Sequence, residues 1–127
     1  MISKLLSVLL FALIFHADAF AQEEDKQMIR LAKLVIDSTQ LERYSAFLRE
    51  EIETSVKIEP GVIMLYAVAE KNRPSHITIL EIYATADAYK KHIQTSHFLK
   101  YKNETKDMVR SLELIETVPL IPGMKIR

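Results

Sequence analysis

The sequence predicts an α+β domain of ferredoxin-like topology, β-α-β-β-α-β, with a four-stranded antiparallel sheet and both helices on one of its faces. Three observations predict it. Apolar residues recur at helical spacing in two stretches, one after Asp37 and one after Thr85. Four runs outside them are short and rich in β-branched or aromatic residues. Proline, glycine or polar clusters separate the runs, so the order reads strand, helix, strand, strand, helix, strand.

Met28 to Asp37 (MIRLAKLVID) is the first strand. Ile29, Leu31 and Val35 fall on one face and Ala32, Leu34 and Ile36 on the other, with Lys33 interrupting the first set. Asp37-Ser38-Thr39 offers caps, and Thr39 with Glu42 fits a capping box. Leu41, Tyr44, Leu48, Ile52 and Val56, with Phe47 beside them, then recur at helical spacing, while Glu42, Arg43, Glu50, Glu53 and Lys57 hold the opposite face. This is an amphipathic helix of about five turns. Glu59-Pro60-Gly61 ends it, because proline disfavours a helical residue before it and glycine frees the turn.

Val62 to Ala69 (VIMLYAVA) is apolar throughout and reads as a strand covered on both faces. Residues 70–75 turn the chain, and His76 to Tyr83 returns as the second arm of a hairpin. Thr85 caps a short helix through Ile93. Thr95 or Ser96 caps a second helical stretch from His97 to about Ser111. Leu112 to Leu120 is the last strand, and Pro119 and Pro122 end regular pairing. With both helices on one side, the other face of the sheet is uncovered, although the central runs are apolar on both sides. Large exposed apolar faces are rare in soluble monomers. A twofold partner packing sheet on sheet resolves the conflict, so a homodimer is expected.

A segment of different character precedes the domain. Lys4 is followed by an uncharged apolar run from Leu5 to Phe15, and Ala19-Phe20-Ala21 supplies the small-x-small pattern of a signal-peptidase site. The run is shorter than the roughly 20 apolar residues that span a bilayer. The expected organisation is a signal peptide over residues 1–21, a flexible mature N-terminus over 22–27 and the folded domain over 28–127. The protein is then exported, periplasmic or secreted, with no stable membrane anchor after cleavage.

Composition narrows the function. Lys and Arg together number 17, as do Asp and Glu. That balance argues against nucleic acid, since neutralising phosphates needs a cationic excess. Lys90, Lys91, Lys100, Lys102, Lys106 and Arg110 are interleaved with Glu104 and Asp107 and read as a solvated helix face. The absence of cysteine excludes disulfides, thiolate metal sites and cysteine nucleophiles. Gly61 and Gly123, the two glycines, leave no glycine-rich phosphate loop.

The chemistry-bearing stretch is Leu80 to Tyr101, which holds Glu81, Tyr83, Tyr89, His92, His97 and Tyr101. Imidazole titrates near neutrality and accepts a proton from a phenol or enol. Tyrosine hydroxyls orient a polar aromatic ligand, and Met64, Tyr66, Ile79 and Leu80 offer apolar walls. Glu81, inside an apolar strand, must face solvent, pair with a cation such as Lys33, or line a pocket. His92 follows Ala88 at i+4 on the helix face that meets the sheet, a position that also suits a hydrogen-bonded packing histidine. His92 and His97 lie five apart, off the i,i+4 spacing of two ligands on one helix, although a break between helices would bring them close. No metal site is expected. His92 and His97 are the catalytic candidates, and Tyr66, Glu81, Tyr83 and Tyr101 the substrate-binding ones.

Glu59-Pro60-Gly61, the strand ending Val68-Ala69-Glu70, and the run from Ala88 through Phe98 with its H-x-x-T-x-H-F element (His92, Thr95, His97, Phe98) resemble the antibiotic biosynthesis monooxygenase-like family. The resemblance covers about Met28 to Pro119. It implies a dimeric α/β barrel of ferredoxin-like topology, and oxidation of phenols or quinols by molecular oxygen without flavin, metal or haem. It also implies His92 as the pocket histidine, with His97 second. Haem-degrading relatives rely on a tryptophan, and this chain has none. The expected function is therefore a cofactor-independent monooxygenase acting on a small quinol or polyphenol, its partner a small aromatic or quinol-like ligand. Two other readings share the same pocket: a non-catalytic dimeric small-ligand-binding protein of the cell envelope, and an isomerase acting by enolisation.

Overall fold

The computed structural model describes residues 26–123; the expected signal peptide lies outside them. The elements are β1 (Met28–Ile36), α1 (Leu41–Ile58), β2 (Val62–Ala69), β3 (His76–Tyr83), α2 (Ala86–His92), α3 (Ser96–Thr105) and β4 (Val109–Thr117). The strands form one sheet in the order β2-β3-β1-β4, with every neighbouring pair antiparallel. The crossover from β1 through α1 to β2 skips the place that β3 fills, which is the ferredoxin-like arrangement expected.

Alternation along β1 decides which residues meet the helices. Arg30, Ala32, Leu34 and Ile36 are buried beneath them, whereas Lys33 is exposed on the other side. Register carries this parity across the sheet: Leu34 pairs with Ile77, Ala32 with Ile79 and Arg30 with Glu81. Ala32, Leu34, Ile36, Ile77 and Ile79 pack with Tyr44 and Leu48 of α1 and with Met108 into the main core. Fully burying one such aliphatic side chain stabilises by about 1.5–3 kcal/mol. Val62, Leu65 and Tyr83 form a second cluster toward α2. Gly61 sits where that helix crosses, since a Cβ there would lie 2.6 Å from the Ala88 Cβ.

The structure corrects several local expectations. Asp37, not Thr39, organises the entry to α1: its Oδ1 accepts the Thr39 backbone N–H at 3.0 Å and hydroxyl at 2.7 Å. Residues Ser38–Gln40 form a single 3-10 turn, and α1 starts only at Leu41. The buried stripe of α1 runs through Tyr44, Leu48, Glu51 and Ser55, leaving Val56 half exposed. Helix α3 stops at Thr105, six residues before its expected end, because Met108 turns into the core and is 3 % exposed. The Met108 carbonyl then accepts the Asp37 N–H at 2.8 Å, and β4 begins at Val109 rather than Leu112.

The face of the sheet away from the helices is open. Tyr66 and Val68 of β2 are exposed there, so β2 is covered on one side only within a single chain. Among the described residues no helix is long and apolar enough to cross a membrane.

Candidate functional site

Between the sheet and the three helices lies a cavity of about 590 Å³. Ala32, Leu34, Leu65, Ile79 and Phe98 give it apolar walls. This size suits a small organic molecule, for which sites run about 300–1,000 Å³. Two adjoining clusters of polar groups reach it, one from the sheet and one from the helices, and Lys102, Lys106, Arg110 and Ser111 border it elsewhere.

The sheet wall carries Arg30, Glu81 and Tyr83. Because Arg30 and Glu81 are register partners on the helix side, their side chains meet, with Nε donating to Oε2 at 3.2 Å. The Tyr83 hydroxyl donates to the other oxygen, Glu81 Oε1, at 3.1 Å. The guanidinium lies 4.2 Å from the ring centroid of Tyr89 on α2, a favourable cation–π distance. Burial alone would lower the Arg30 pKa, but Tyr89 and the Glu81 carboxylate more than offset it and hold the group firmly protonated. Burial, together with the negative Glu81, pushes the Tyr83 phenol far above its ordinary range.

The helix wall carries Glu51 and His92. The α1 register turns Glu51 inward one turn after Leu48, where its Oε1 accepts the Ser55 hydroxyl at 2.8 Å. The same oxygen stands 3.2 Å from His92 Nε2. Burial raises the Glu51 pKa, against the opposing influence of Ser55 and His92. His92 itself is 2 % exposed and ends α2. Its ring packs between Tyr83, at 5.3 Å between centroids, and Phe98, at 5.0 Å. Tyr101 closes this wall. Its hydroxyl shares a hydrogen bond with that of Tyr44, and burial pushes its pKa up to about 12.

The second nitrogen of His92 points elsewhere. Nδ1 lies 3.0 Å from Glu59 Oε2, and the same oxygen lies 2.7 Å from His97 Nε2. Two threonine caps set this up. Thr85 accepts the Ala88 N–H and starts α2. Thr95 accepts the Phe98 N–H, starts α3, and donates its hydroxyl to the His92 carbonyl at 2.7 Å. The break between α2 and α3 thus places His97 in the first turn of a new helix, facing back toward Glu59. Burial would raise the Glu59 pKa, but hydrogen bonds from His92 and His97 outweigh it and hold it low.

Of the residues expected from the sequence, His92, Glu81, Tyr83 and Tyr101 come together around the cavity. His97 does not line it and bonds Glu59 instead. Tyr66 is on the opposite face of the sheet, 63 % exposed, and Met64 and Leu80 share that face by register. The cation beside Glu81 is Arg30 rather than Lys33, since residue 33 has the other strand parity. Arg30, Glu51 and Glu59 were not expected. Arg30 shares its parity with Ala32, Leu34 and Ile36, and Glu51 falls at i+3 from Leu48 and i+7 from Tyr44. Both signals were present in the sequence, but charge masked them.

The profile of the family described as antibiotic biosynthesis monooxygenase matches residues 28–104. A crystal structure from Bacteroides thetaiotaomicron, provisionally assigned as an antibiotic biosynthesis monooxygenase, is 59% identical with a TM-score of 0.79, covering 82% of this chain and 99% of that one. A provisionally assigned monooxygenase from Lactobacillus acidophilus is 30% identical with a TM-score of 0.72; the match covers 74% of this chain but 45% of that one. A Nitrosomonas europaea protein at 18% identity and TM-score 0.70, covering 76% of this chain and 92% of that one, shares the fold. No curated protein matches the chain.

Proposed function

The chain belongs to the antibiotic biosynthesis monooxygenase family, and from that premise we propose that it oxidises a small quinol or polyphenol with molecular oxygen in the cavity beneath the sheet. The observation that carries this reading is that one cavity is lined both by a buried proton acceptor from the helices and by a buried cation from the sheet.

The chemistry follows from those two walls. A quinol hydroxyl next to Glu51 and His92 passes its proton to that pair. Burial makes the Glu51 carboxylate more basic than an exposed one, and His92 and Ser55 hold it in place. The resulting quinolate is electron-rich and gives one electron to oxygen. The Arg30 guanidinium stabilises the anions on both sides of this transfer, the quinolate and then superoxide. Recombination puts oxygen on the ring, and loss of water leaves a hydroxyquinone. Quinol plus O₂ gives hydroxyquinone plus water, so the substrate supplies all four electrons. Tyr83, Tyr89 and Tyr101 hold the ring, and burial keeps the Tyr83 and Tyr101 phenols protonated, as hydrogen-bond donors rather than competing bases.

The reading includes a homodimer built through the open face of the sheet, supported by the exposure of Tyr66 and Val68 there. It also includes export, supported by the pattern of residues 1–21. Oxygen uptake by the purified protein with a small quinol panel and no added cofactor tests the activity. Uptake above the autoxidation blank that falls by at least about 100-fold in folded His92→Ala agrees with the expected worth of a general base. Saturable quinol binding with no uptake makes the protein a ligand carrier, and rearrangement of an enolisable substrate under anaerobic conditions makes it an isomerase.

A further inference from the structure

We propose that Glu59, His92 and His97 form a binding site for a divalent transition-metal ion, best suited to zinc, that clips the ends of α1, α2 and α3 together. The residues converge from three elements: Glu59 just beyond the end of α1, His92 at the end of α2 and His97 in the first turn of α3. One ligand atom from each, Glu59 Oε2, His92 Nδ1 and His97 Nε2, falls within 4.8 Å of the others. Oε2 lies 3.0 Å from His92 Nδ1 and 2.7 Å from His97 Nε2. Ligands about 2.0–2.2 Å from zinc stand about 3.3–3.6 Å apart at tetrahedral angles, so the two Glu59–histidine spacings need only a small expansion.

Two further features favour a metal over a purely hydrogen-bonded cluster. Both ring nitrogens of His92 face carboxylates, Nδ1 toward Glu59 and Nε2 toward Glu51. A neutral imidazole has one N–H and satisfies only one of these contacts; a second proton on the ring or a metal ion at Nδ1 closes the other. If the proton sits on Nε2, Nδ1 turns its lone pair on a carboxylate oxygen, and a metal ion between them converts repulsion into two bonds. The arrangement around Glu51 completes the pattern. Metal-bound histidines almost always donate their other N–H to a carboxylate, and Glu51 is that carboxylate, itself anchored by Ser55 at 2.8 Å. The side chains of Glu59 and His97 are 14% and 11% exposed, which leaves a route in and a water-accessible fourth position. Two histidines and one carboxylate also suit iron, but Glu59 and His97 do not line the cavity. The ion's role is therefore structural; it meets the cavity only through His92, whose other nitrogen faces Glu51.

Titration of the chelator-treated, purified protein with Zn(II), and with Co(II) as a visible-absorption probe, tests the site. One equivalent per chain is expected, with a tetrahedral Co(II) spectrum and a zinc-dependent rise in Tm. Glu59→Gln and His97→Ala are expected to abolish this binding, and Glu51→Gln to weaken it by about 10–100-fold. His76→Ala, remote from the cluster, leaves it intact. Absence of one-equivalent uptake by the folded wild type overturns the proposal, as does uptake unchanged in folded Glu59→Gln and His97→Ala. If both variants unfold, the wild-type stoichiometry and Co(II) spectrum decide alone. None of these readouts involves oxygen uptake.

Discussion

Arg30 and Glu81 stand directly opposite each other on β1 and β3 and close a buried ion pair, with side-chain exposures of 8% and 15% and an Nε–Oε2 distance of 3.2 Å. The pair is flanked by Tyr83, which donates to the carboxylate, and by the Tyr89 ring beneath the guanidinium. Two opposite charges so placed under a helix layer are expensive to separate.

Glu81→Leu leaves the Arg30 charge buried without its partner and is expected to destabilise the fold by about 3–5 kcal/mol. Arg30→Leu with Glu81→Leu replaces the pair by apolar side chains and recovers most of that loss, since such replacements are often neutral or stabilising. Urea unfolding of the two variants checks this. Oxygen uptake is not expected to recover in the double variant, because the cation facing the cavity is gone.

Alkaline pH provides a second test. The Tyr101 phenol titrates at about 12 in the fold, against about 10 in an unfolded chain. A raised pKa means that the folded state holds the proton more tightly. Its contribution to stability is complete below pH 10 and is lost as pH climbs from 10 to about 12. Two pKa units correspond to on the order of 2–3 kcal/mol. Stability measured across that window should fall steeply in the wild type. Tyr101→Phe should flatten the slope while losing about 1 kcal/mol at neutral pH with the Tyr44 hydrogen bond.

At Gly61 the constraint is the closeness of α2. A methyl group there meets the Ala88 Cβ at 2.6 Å, so Gly61→Ala should cost about 1–3 kcal/mol through overpacking. Adding Ala88→Gly relieves the collision at the price of about 1 kcal/mol of helix propensity. A Tm for Gly61→Ala equal to that of the wild type would show that α2 slides freely on β2.

The open face of the sheet predicts association. Tyr66 is 63% exposed and Val68 48%. Tyr66→Glu places charge at the centre of the proposed sheet-on-sheet contact and is expected to convert a dimer to a monomer in sedimentation equilibrium. Lys71→Glu, in the hairpin turn beyond the end of β2, should not. A monomeric wild type would remove the dimer reading without touching the cavity.

The sequence made the fold legible because its strongest signals are local. Alternation in Met28–Ile36, the helical spacing of Leu41, Tyr44 and Leu48, and the Glu59-Pro60-Gly61 stop each depend on residues a few positions apart. The caps Thr85 and Thr95 were readable for the same reason. Errors came where a distant contact overrode a local preference. Met108 turns into the core beneath β1, so α3 stops early. Asp37 holds the Thr39 and Gln40 side chains and also Arg110, 73 residues away, so it displaces the expected Thr39–Glu42 box.

For the site, the sequence by itself determined the chemical inventory: an imidazole at His92, phenols at Tyr83 and Tyr101, and an acid inside an apolar strand at Glu81. It also determined which strand face each residue shares. Only the tertiary structure decided the partners. Strand register placed Arg30 rather than Lys33 beside Glu81, because register brings residues 51 positions apart into contact. The packing of α1 against the sheet turned Glu51 inward, and the break between α2 and α3 brought His97 to Glu59. Tyr66 falls on the face away from the cavity, where only the tertiary structure could place it: a strand apolar on both faces does not say which face the helices will cover.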